Sequence, residues 1–412
     1  MENSKNVIDI LIERGYIAQT TGLDEIKELF AKPGVRYYIG FDPTADSLHV
    51  GHFIQMMVMS HLQQAGHFPV ALLGGGTGMI GDPSGRSDMR QMLSEEDIQH
   101  NIDRFAEQMT ILLDLSEGNG LMVNNAEWLM GLKYIEYLRE IGPHFSVNRM
   151  LTADAYKTRY EQGLTFLEFN YMTIQAYDFY RLYIDHNVQV QLGGNDQWSN
   201  ILAGTELIRR KTANHDAYGV TTNLLVKSNG EKMGKTSSGA LWLDPEKTSP
   251  FEFYQYWRNI DDSDVITCMK LLTFLPLEVI DEYAKLEGEA INEAKKVLAL
   301  EVTKIVHGEG NAKEAEQQAL DIFAGAGRSD DMPTSTYTQA ELNAGLPLLQ
   351  TMTDVGLTQS NSEARRLVQQ GGVRVNDNQV KDVHYNLTVD DLENDEIIIR
   401  RGKKNLHRIV VD

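Results

Sequence analysis

Sulfur chemistry is almost absent from this chain, which carries one cysteine, Cys268, among 412 residues. A single thiol excludes an internal disulfide and any cysteine-rich zinc site, and it suits a reducing, cytoplasmic setting. No uncharged apolar run is long enough to cross a bilayer, so no membrane partner is expected. Residues 1–14 mix Glu, Lys, Asp and Arg, the composition of neither a signal nor a transit peptide. Positive charge is scarce too: 38 Lys+Arg against 59 Asp+Glu leave a net charge of −21. That total argues against a nucleic-acid partner. The deficit is uneven, however. Residues 345–412 hold 9 basic and 10 acidic residues, a net of −1, and the rest of the chain a net of −20. Only the C-terminal stretch escapes the acidic excess, and local fields decide where RNA docks.

What is present is apolar material, 42% of residues, in a chain long enough for two or three domains. An apolar, aromatic run over 35–41 breaks at Asp42-Pro43 and passes through Thr44, Asp46 and Ser47. It then opens an amphipathic helix with His49 and His52 in its first turn. Ser47 is placed to cap that helix and Gly66 to end it. A strand, a polar turn and a helix start make an anion site, in which the first N–H groups of the helix face the ligand. The two imidazoles point the same way, and Gly51 between them keeps the surface open. Taken alone, the pattern also describes a helix start with two solvated histidines. Residues 68–73 form a second wholly apolar run, as a buried parallel strand does, so the unit is a right-handed βαβ. Further apolar runs at 121–123 and 188–192 alternate with helical stretches. The expected architecture over 1–246 is a Rossmann-like, doubly wound α/β domain.

Residues 76–81 satisfy G-x-G-x-x-G, but they follow the second strand and lead into turn chemistry at Asp82-Pro83-Ser84-Gly85. A dinucleotide dehydrogenase is therefore not indicated. The glycines from Gly74 to Gly81 read either as a plain turn or as bare backbone on which a ligand ring lies flat. Arg86 and Arg90 sit in a polar loop. A helix over 128–141 is expected, followed by a stretch rich in Phe145, Met150, Tyr156 and Tyr160. On a helix over 169–183, Tyr171, Gln175 and Asp178 share one face. Gln191, Asp196 and Gln197 fall at the end of the next strand, where open α/β sheets bind ligands. Residues 227–239, with Lys232 and Lys235, read as a loop holding no rigid element. Helical patterns dominate 247–324, an all-helical domain, and 325–344 reads as a linker by composition. The tail, 345–412, reads as a small α+β module. Ser360 and Glu363 form a capping box on a helix bearing Arg365 and Arg366. A hairpin over 373–380 turns at Asp377-Asn378, and a closing strand at 396–400 runs into Arg400, Arg401, Lys403 and Lys404. Such clustered basic residues suit a phosphate backbone, although a charged surface on a small domain is the plainer reading.

His49-Val50-Gly51-His52 resembles the His-Ile-Gly-His signature of class I aminoacyl-tRNA synthetases and related nucleotidyltransferases. The longer string Gly-Phe-Asp-Pro-Thr-Ala-Asp-Ser-Leu-His, residues 40–49, closely resembles the bacterial tyrosyl-tRNA synthetases. Lys232-Met233-Gly234-Lys235-Thr236 is similar to the Lys-Met-Ser-Lys-Ser motif that accompanies the histidine motif, and the tail resembles an RNA-binding module of a ribosomal protein. The resemblance spans nearly the whole chain. It implies a ligase that activates L-tyrosine with ATP and transfers it to tRNA(Tyr), by positioning and electrostatics without a covalent nucleophile.

By the same resemblance, Tyr38 and Asp178 meet the substrate phenol, Asp82, Tyr171, Gln175 and Gln197 its amino group, and Gln191 lines the pocket. Gly40, Asp42, His49, His52, Asp196 and Lys235 are expected at ATP, with Asp196 on the ribose and Thr44 beside His49 on the γ-phosphate side. Arg86, Arg90, Lys232, Lys235 and Thr236 are expected at the departing pyrophosphate. Ile39 stands where some relatives carry Cys, and it cannot hydrogen-bond the ribose. Arg365, Arg366, Arg400, Arg401, Lys403 and Lys404 are expected at RNA. Mg²⁺ is expected to arrive with ATP, with no protein-bound metal, and a homodimer is expected through an insertion at about 125–165. Three rivals remain. A small-molecule adenylyltransferase needs neither the lysine motif nor the basic tail, an RNA-binding protein with a dead core needs no intact motifs, and tryptophan as substrate is opposed by Tyr38 with Asp178.

Overall fold

The protein, seen in a computed structural model, is described over residues 5–84, 93–236, 239–323, 332–376, 378–393, 396–402 and 405–411, without the side chains of 158, 235, 236, 322 and 323. Among the described residues, the main sheet is six-stranded: β1 (Ile17–Thr20), β2 (Arg36–Phe41), β3 (Phe68–Leu73), β4 (Leu121–Asn124), β5 (Val190–Gly194) and β6 (Tyr218–Thr222), in the order β1-β6-β5-β2-β3-β4. Neighbours run parallel except β1, antiparallel beside β6. The chain steps from β2 outward to β3 and β4, then fills the other side with β5 and β6. The order reverses between β2 and β5, where Tyr38 pairs with Gln191. Such a switch point opens a crevice beyond the carboxyl ends of the strands. The doubly wound expectation holds.

The histidine-bearing helix, Val50–Gln64, is buried nearly all round, with Phe53, Met56, Met57, Val58, Met59 and Leu62 each 0% exposed. Burying a side chain of this size stabilises by about 1.5–3 kcal/mol, which fixes the helix against the sheet as the crossover from β2 to β3. It ends at Ala65 and Gly66, the latter at φ +88°. Its start departs from the expectation. Ser47 is buried, with its hydroxyl donating to Leu48 O, and the N-cap is His49. The helix expected over 128–141 is two, Ala126–Leu129 and Tyr134–Glu140. Met150 and Tyr156 belong to the core, while Tyr160 stands 60% exposed.

β7 (Lys235–Thr236) and β8 (Gly239–Ala240) form a small ribbon after the main sheet. Helices Pro250–Arg258, Val265–Leu272, Leu277–Tyr283 and Ile291–Phe323 follow, the last broken at Gly308, whose φ is +84°. Arg14, at the end of the first helix (Val7–Arg14), donates to the carbonyls of Lys270, Thr273 and Leu275. A helix end leaves its last carbonyls unsatisfied, and this guanidinium supplies donors there. With the Tyr16 hydroxyl on Leu271 O at 2.6 Å, it fastens the helical segment to the N-terminal part of the chain.

The second compact unit, residues 316–412, has a five-stranded sheet of order β12-β11-β14-β15-β9. Its strands are β9 (Thr334–Tyr337), β11 (Val373–Val375), β12 (Asn378–Gln379), β14 (Glu396–Arg401) and β15 (Asn405–Val411), beside a pair formed by β10 (Leu346–Pro347) and β13 (Asn386–Leu387). The linker expected over 325–344 is corrected from Met332 onward. β9 pairs in parallel with β15, and Thr338 with Glu341 boxes the start of the helix Gln339–Ala344. Thr and Ser read as linker by polarity, yet an alternating edge strand of β-branched residues has the same composition. Asn378 is also not a turn residue. It pairs with Val375 in the ladder, while Asn376 takes the left-handed corner at φ +44°. Ser360 does cap its helix, but Glu363 accepts from Gln359 N and Arg401, so the box is half made.

Candidate active site

A cavity of about 800 Å³ opens at the switch point. Tyr38, Gly40, Asp42, Thr44, His49, His52, Asp82, Tyr171, Gln175, Asp178, Gln191, Asp196, Gln197 and Lys232 all line it, as does Ile39. Arg86 and Arg90 lie outside the described residues, as do the side chains of Lys235 and Thr236.

At the deep end, Asp178 on the helix Phe166–His186 is 1% exposed. Its Oδ1 accepts from Trp128 Nε1 at 2.7 Å and its Oδ2 from Asn125 Nδ2 at 2.9 Å. Burial pushes the carboxyl up to about 7 in spite of those two donors, and the charge of Asp42 adds to the rise. Tyr38 is equally buried, and burial followed by the Asp178 charge raises its phenol well above the ordinary value, so it stays an O–H donor. That hydroxyl and Gln191 Oε1 have no hydrogen-bond partner among the described residues. A buried polar group left unmade costs about 1–3 kcal/mol, which a ligand hydroxyl able to donate and accept would recover.

A supporting network lies behind these groups. Asn125 Nδ2 also reaches Thr77 Oγ1 at 3.0 Å, and its Oδ1 accepts from Gly76 N at 2.8 Å. Thr77 Oγ1 donates to Asp42 Oδ1 at 2.7 Å, and the Tyr171 hydroxyl to Asp42 Oδ2 at 2.9 Å. Asn125, Trp128 and Thr77 escaped the sequence reading, because nothing local marks them and their partners are distant in the chain. The same network packs against two of these glycines, of which Gly74 also lines the cavity. A Cβ on Gly74 would lie 2.2 Å from Asp42 Oδ1, and one on Gly75 2.3 Å from Asn124 Oδ1. The glycines let these side chains close in.

Nearer the middle, Gln197 Nε2 donates to Asp82 Oδ2 at 2.7 Å, while Asp82 Oδ1 accepts from Ser84 N. Burial raises the Asp196 carboxyl, Asp82 adds to this, and Lys232 opposes it. With Asp42, Asp82, Asp178 and Asp196 in its wall, the cavity favours a ligand that carries a cation.

At the mouth, His49 Nδ1 accepts from Gly51 N at 3.0 Å and His52 Nδ1 from His49 N at 3.2 Å, with the rings stacked 3.9 Å apart. Val50 N donates to Leu241 O at 3.1 Å. The first N–H groups of the helix, expected to face an anion, are therefore engaged within the protein. The donors offered in their place are ring ones, since an imidazole that accepts at Nδ1 carries its proton on Nε2. Burial lowers the His49 pKa, its backbone hydrogen bond opposes this and Lys232 adds to the lowering, so the ring is a neutral donor at pH 7. The exposed Lys232 faces this pair from a stretch with more structure than expected. Val226 bridges Lys232, β7 pairs with β8, and Met233 is 7% exposed. Gly234, at φ +86° with its missing Cβ site 3.3 Å from Val50 Cβ, needs to be glycine there.

In the second unit, Arg365 and Arg366 are exposed, and Arg400 lies opposite Arg374, a residue the sequence reading passed over. Arg401, partly exposed, donates to Leu357 O at 2.6 Å and Glu363 Oε1 at 2.7 Å, so it also ties the module together. Lys403 and Lys404 lie outside the described residues.

A switch-point cavity with a histidine helix start facing a lysine loop defines a nucleotide-handling α/β enzyme. Residues 31–324 match the family described as tRNA synthetases class I (W and Y), and 325–409 match the Tyrosine–tRNA ligase SYY-like C-terminal domain. The chain belongs to the class I aminoacyl-tRNA synthetases of this tryptophan and tyrosine group, which are ATP-using ligases. It is 57% identical over 408 residues to the Tyrosine–tRNA ligase of Clostridium botulinum (strain 657 / Type Ba4), covering 99% of this chain and 100% of that one. With the Tyrosine–tRNA ligase of Acetivibrio thermocellus it shares 55% over 404 residues, 98% of this chain and 99% of the other. A C-terminally truncated mitochondrial tyrosyl-tRNA synthetase of Aspergillus nidulans superposes with a TM-score of 0.68 at 30% identity, covering 78% of this chain and 95% of that one.

Proposed function

We propose that the cavity activates L-tyrosine with ATP, giving tyrosyl-adenylate and pyrophosphate, and then passes tyrosine to the 3′ end of tRNA(Tyr). The observation that carries this reading is the presence at the deep end of a Tyr38 hydroxyl without a partner among the described residues and of the pinned carboxylate of Asp178. A phenol donates to Asp178 and accepts from Tyr38. Phenylalanine offers neither, and an indole has no acceptor. The substrate ammonium is held by Asp82, Tyr171, Gln175 and Gln197, and Gln191 Oε1 takes a remaining donor.

The tyrosine carboxylate attacks the α-phosphorus in line, a P–O bond to the β-phosphate breaks, and pyrophosphate leaves. Charge builds on pyrophosphate only as it departs, so the ring N–H groups of His49 and His52, with Thr44 and Lys232, act chiefly then. Arg86, Arg90, Lys235 and Thr236 join them. Asp196 holds the adenylate ribose, with Gly40 and Asp42 beside the nucleotide; Ile39 contributes packing alone. ATP would enter as its Mg²⁺ complex, in which the metal would offset the repulsion between the phosphates and the nearby carboxylates. In the second step a terminal ribose hydroxyl of tRNA attacks the tyrosyl carbonyl and AMP leaves.

Residues 1–246 carry this chemistry, 247–324 brace it, and the module over 345–412 docks RNA through Arg365, Arg366, Arg400, Arg374, Lys403 and Lys404. Tyr134 and Ile135, 61% and 63% exposed, support a homodimer through the insertion at about 125–165. The buried thiol of Cys268 suits a cytoplasmic enzyme. ATP–pyrophosphate exchange measured with each of the twenty amino acids tests the reading. Tyrosine alone is expected to support exchange, and equal exchange with tryptophan or phenylalanine would overturn it.

A further inference from the structure

The lysine loop is fastened from behind by the helical segment. At its entry, Ser228 N donates to Asp264 Oδ1 at 2.8 Å. Between the two lysines, Met233 lies buried with its sulfur 3.5 Å from Cys268 Sγ. Just beyond, Gly234 N donates to the Tyr256 hydroxyl at 2.8 Å. The loop is not held by dense packing, since Met233 lines both the main cavity and a second one of about 480 Å³, whose wall includes Asp264 and Tyr256. Backbone bonds from Met233 N to Leu225 O and from Leu241 N to Gly234 O shape the loop itself, while from the helical segment it is held by these contacts and by Ser263 Oγ, which donates to Ser228 Oγ at 3.0 Å.

Asp264 is the unusual member. It occupies the N-cap position of the helix Val265–Leu272, where an aspartate ordinarily accepts from the N–H groups of its own helix. Here the side chain makes no such bond. It is 6% exposed, one oxygen is given to the loop backbone, and Oδ2 has no partner among the described residues. A carboxylate buried at that cost and aimed at another segment serves that segment, and a hydrogen bond to a charged acceptor is about twice as strong as a neutral one.

We infer that Asp264 is a positioning residue for the activation step: by holding Ser228 N–H it sets where Lys232 stands over the departing pyrophosphate. This rests on the role given to Lys232 above. Tyr256 is the weaker second strut.

The test is single-turnover tyrosyl-adenylate formation and equilibrium tyrosine binding on the full chain. Asp264→Ala is expected to slow adenylate formation about tenfold with tyrosine affinity unchanged, the size of one charge-assisted hydrogen bond. Asp264→Asn, which keeps an oxygen for Ser228 N–H, is expected to recover most of the rate. Adenylate formation at the wild-type rate in Asp264→Ala overturns the inference. So does an Asn variant as slow as the Ala one, or a parallel loss of tyrosine binding, which marks damage to the fold. Lys232→Ala separates the two claims. If it alone is slow, only the Asp264 inference fails; if it keeps the wild-type rate, the reading of Lys232 fails.

Discussion

At the deep end of the cavity, Trp128 and Asn125 pin Asp178, and Thr77 and Tyr171 pin Asp42, all from strand ends and buried helices. At the mouth, Lys232 is exposed on a loop, and His49 and His52 ride on the first turn of a helix. The contrast follows from when each group is needed. A phenol hydroxyl is the same in the bound substrate and in the transition state, so a rigid buried network can recognise it at no reorganisation cost. Pyrophosphate charge exists only in passing, and donors that meet it contribute to rate and little to binding.

Mutation at the two ends separates these jobs. The largest effect is expected at the mouth: Lys232→Ala or His49→Ala should lower single-turnover adenylate formation by about 10²–10³, with tyrosine binding intact. If tyrosine affinity falls in step with the rate, the division of labour is broken. At the deep end, Tyr38→Phe should reduce the preference for tyrosine over phenylalanine in kcat/KM by about 10–100-fold, the loss of a buried hydrogen bond. A ratio that stays put removes Tyr38 from recognition. Truncation at residue 331 should leave adenylate formation whole while raising the KM for tRNA about tenfold and flattening its salt dependence. Aminoacylation with an unchanged KM would show that the tail does not dock RNA.

The smallest effect is one of pH. Only the ionised Asp178 accepts the phenol proton while Trp128 and Asn125 occupy it, so tyrosine affinity should fall a few-fold as pH drops through about 7. Asp178→Asn should abolish that dependence in a binding titration. The sign for stability is opposite. A carboxyl whose folded pKa lies above its unfolded one stabilises fully below the unfolded value, and the gain is lost as pH rises through about 7. Asp178→Asn should therefore gain Tm relative to wild type at pH 8.

Fold and site were legible to different depths. β3 runs over the residues that the apolar run marked, since a strand buried on both faces must be apolar throughout. The helix Val50–Gln64 lies close to where its punctuation put it. β9 was hidden, because its partner β15 lies some seventy residues on and its own composition is that of a linker. The ion pair of Arg401 was hidden for a similar reason: the pattern shows its charge but not the carboxylate of Glu363 that meets it.

By itself, the sequence determined the strand and helix periods and the switch from α/β to all-helical segments, because these depend on neighbours a few positions away, while the residues expected at the cavity came from the family resemblance. The tertiary structure alone decided that the first turn of the histidine helix is closed to an anion except through its rings, that Asp178 sits poised near neutrality, and that Asp264 holds the lysine loop. Each of those outcomes depends on a hydrogen-bond partner or a loss of water contributed by a segment far away in the chain, and no local pattern carries that information.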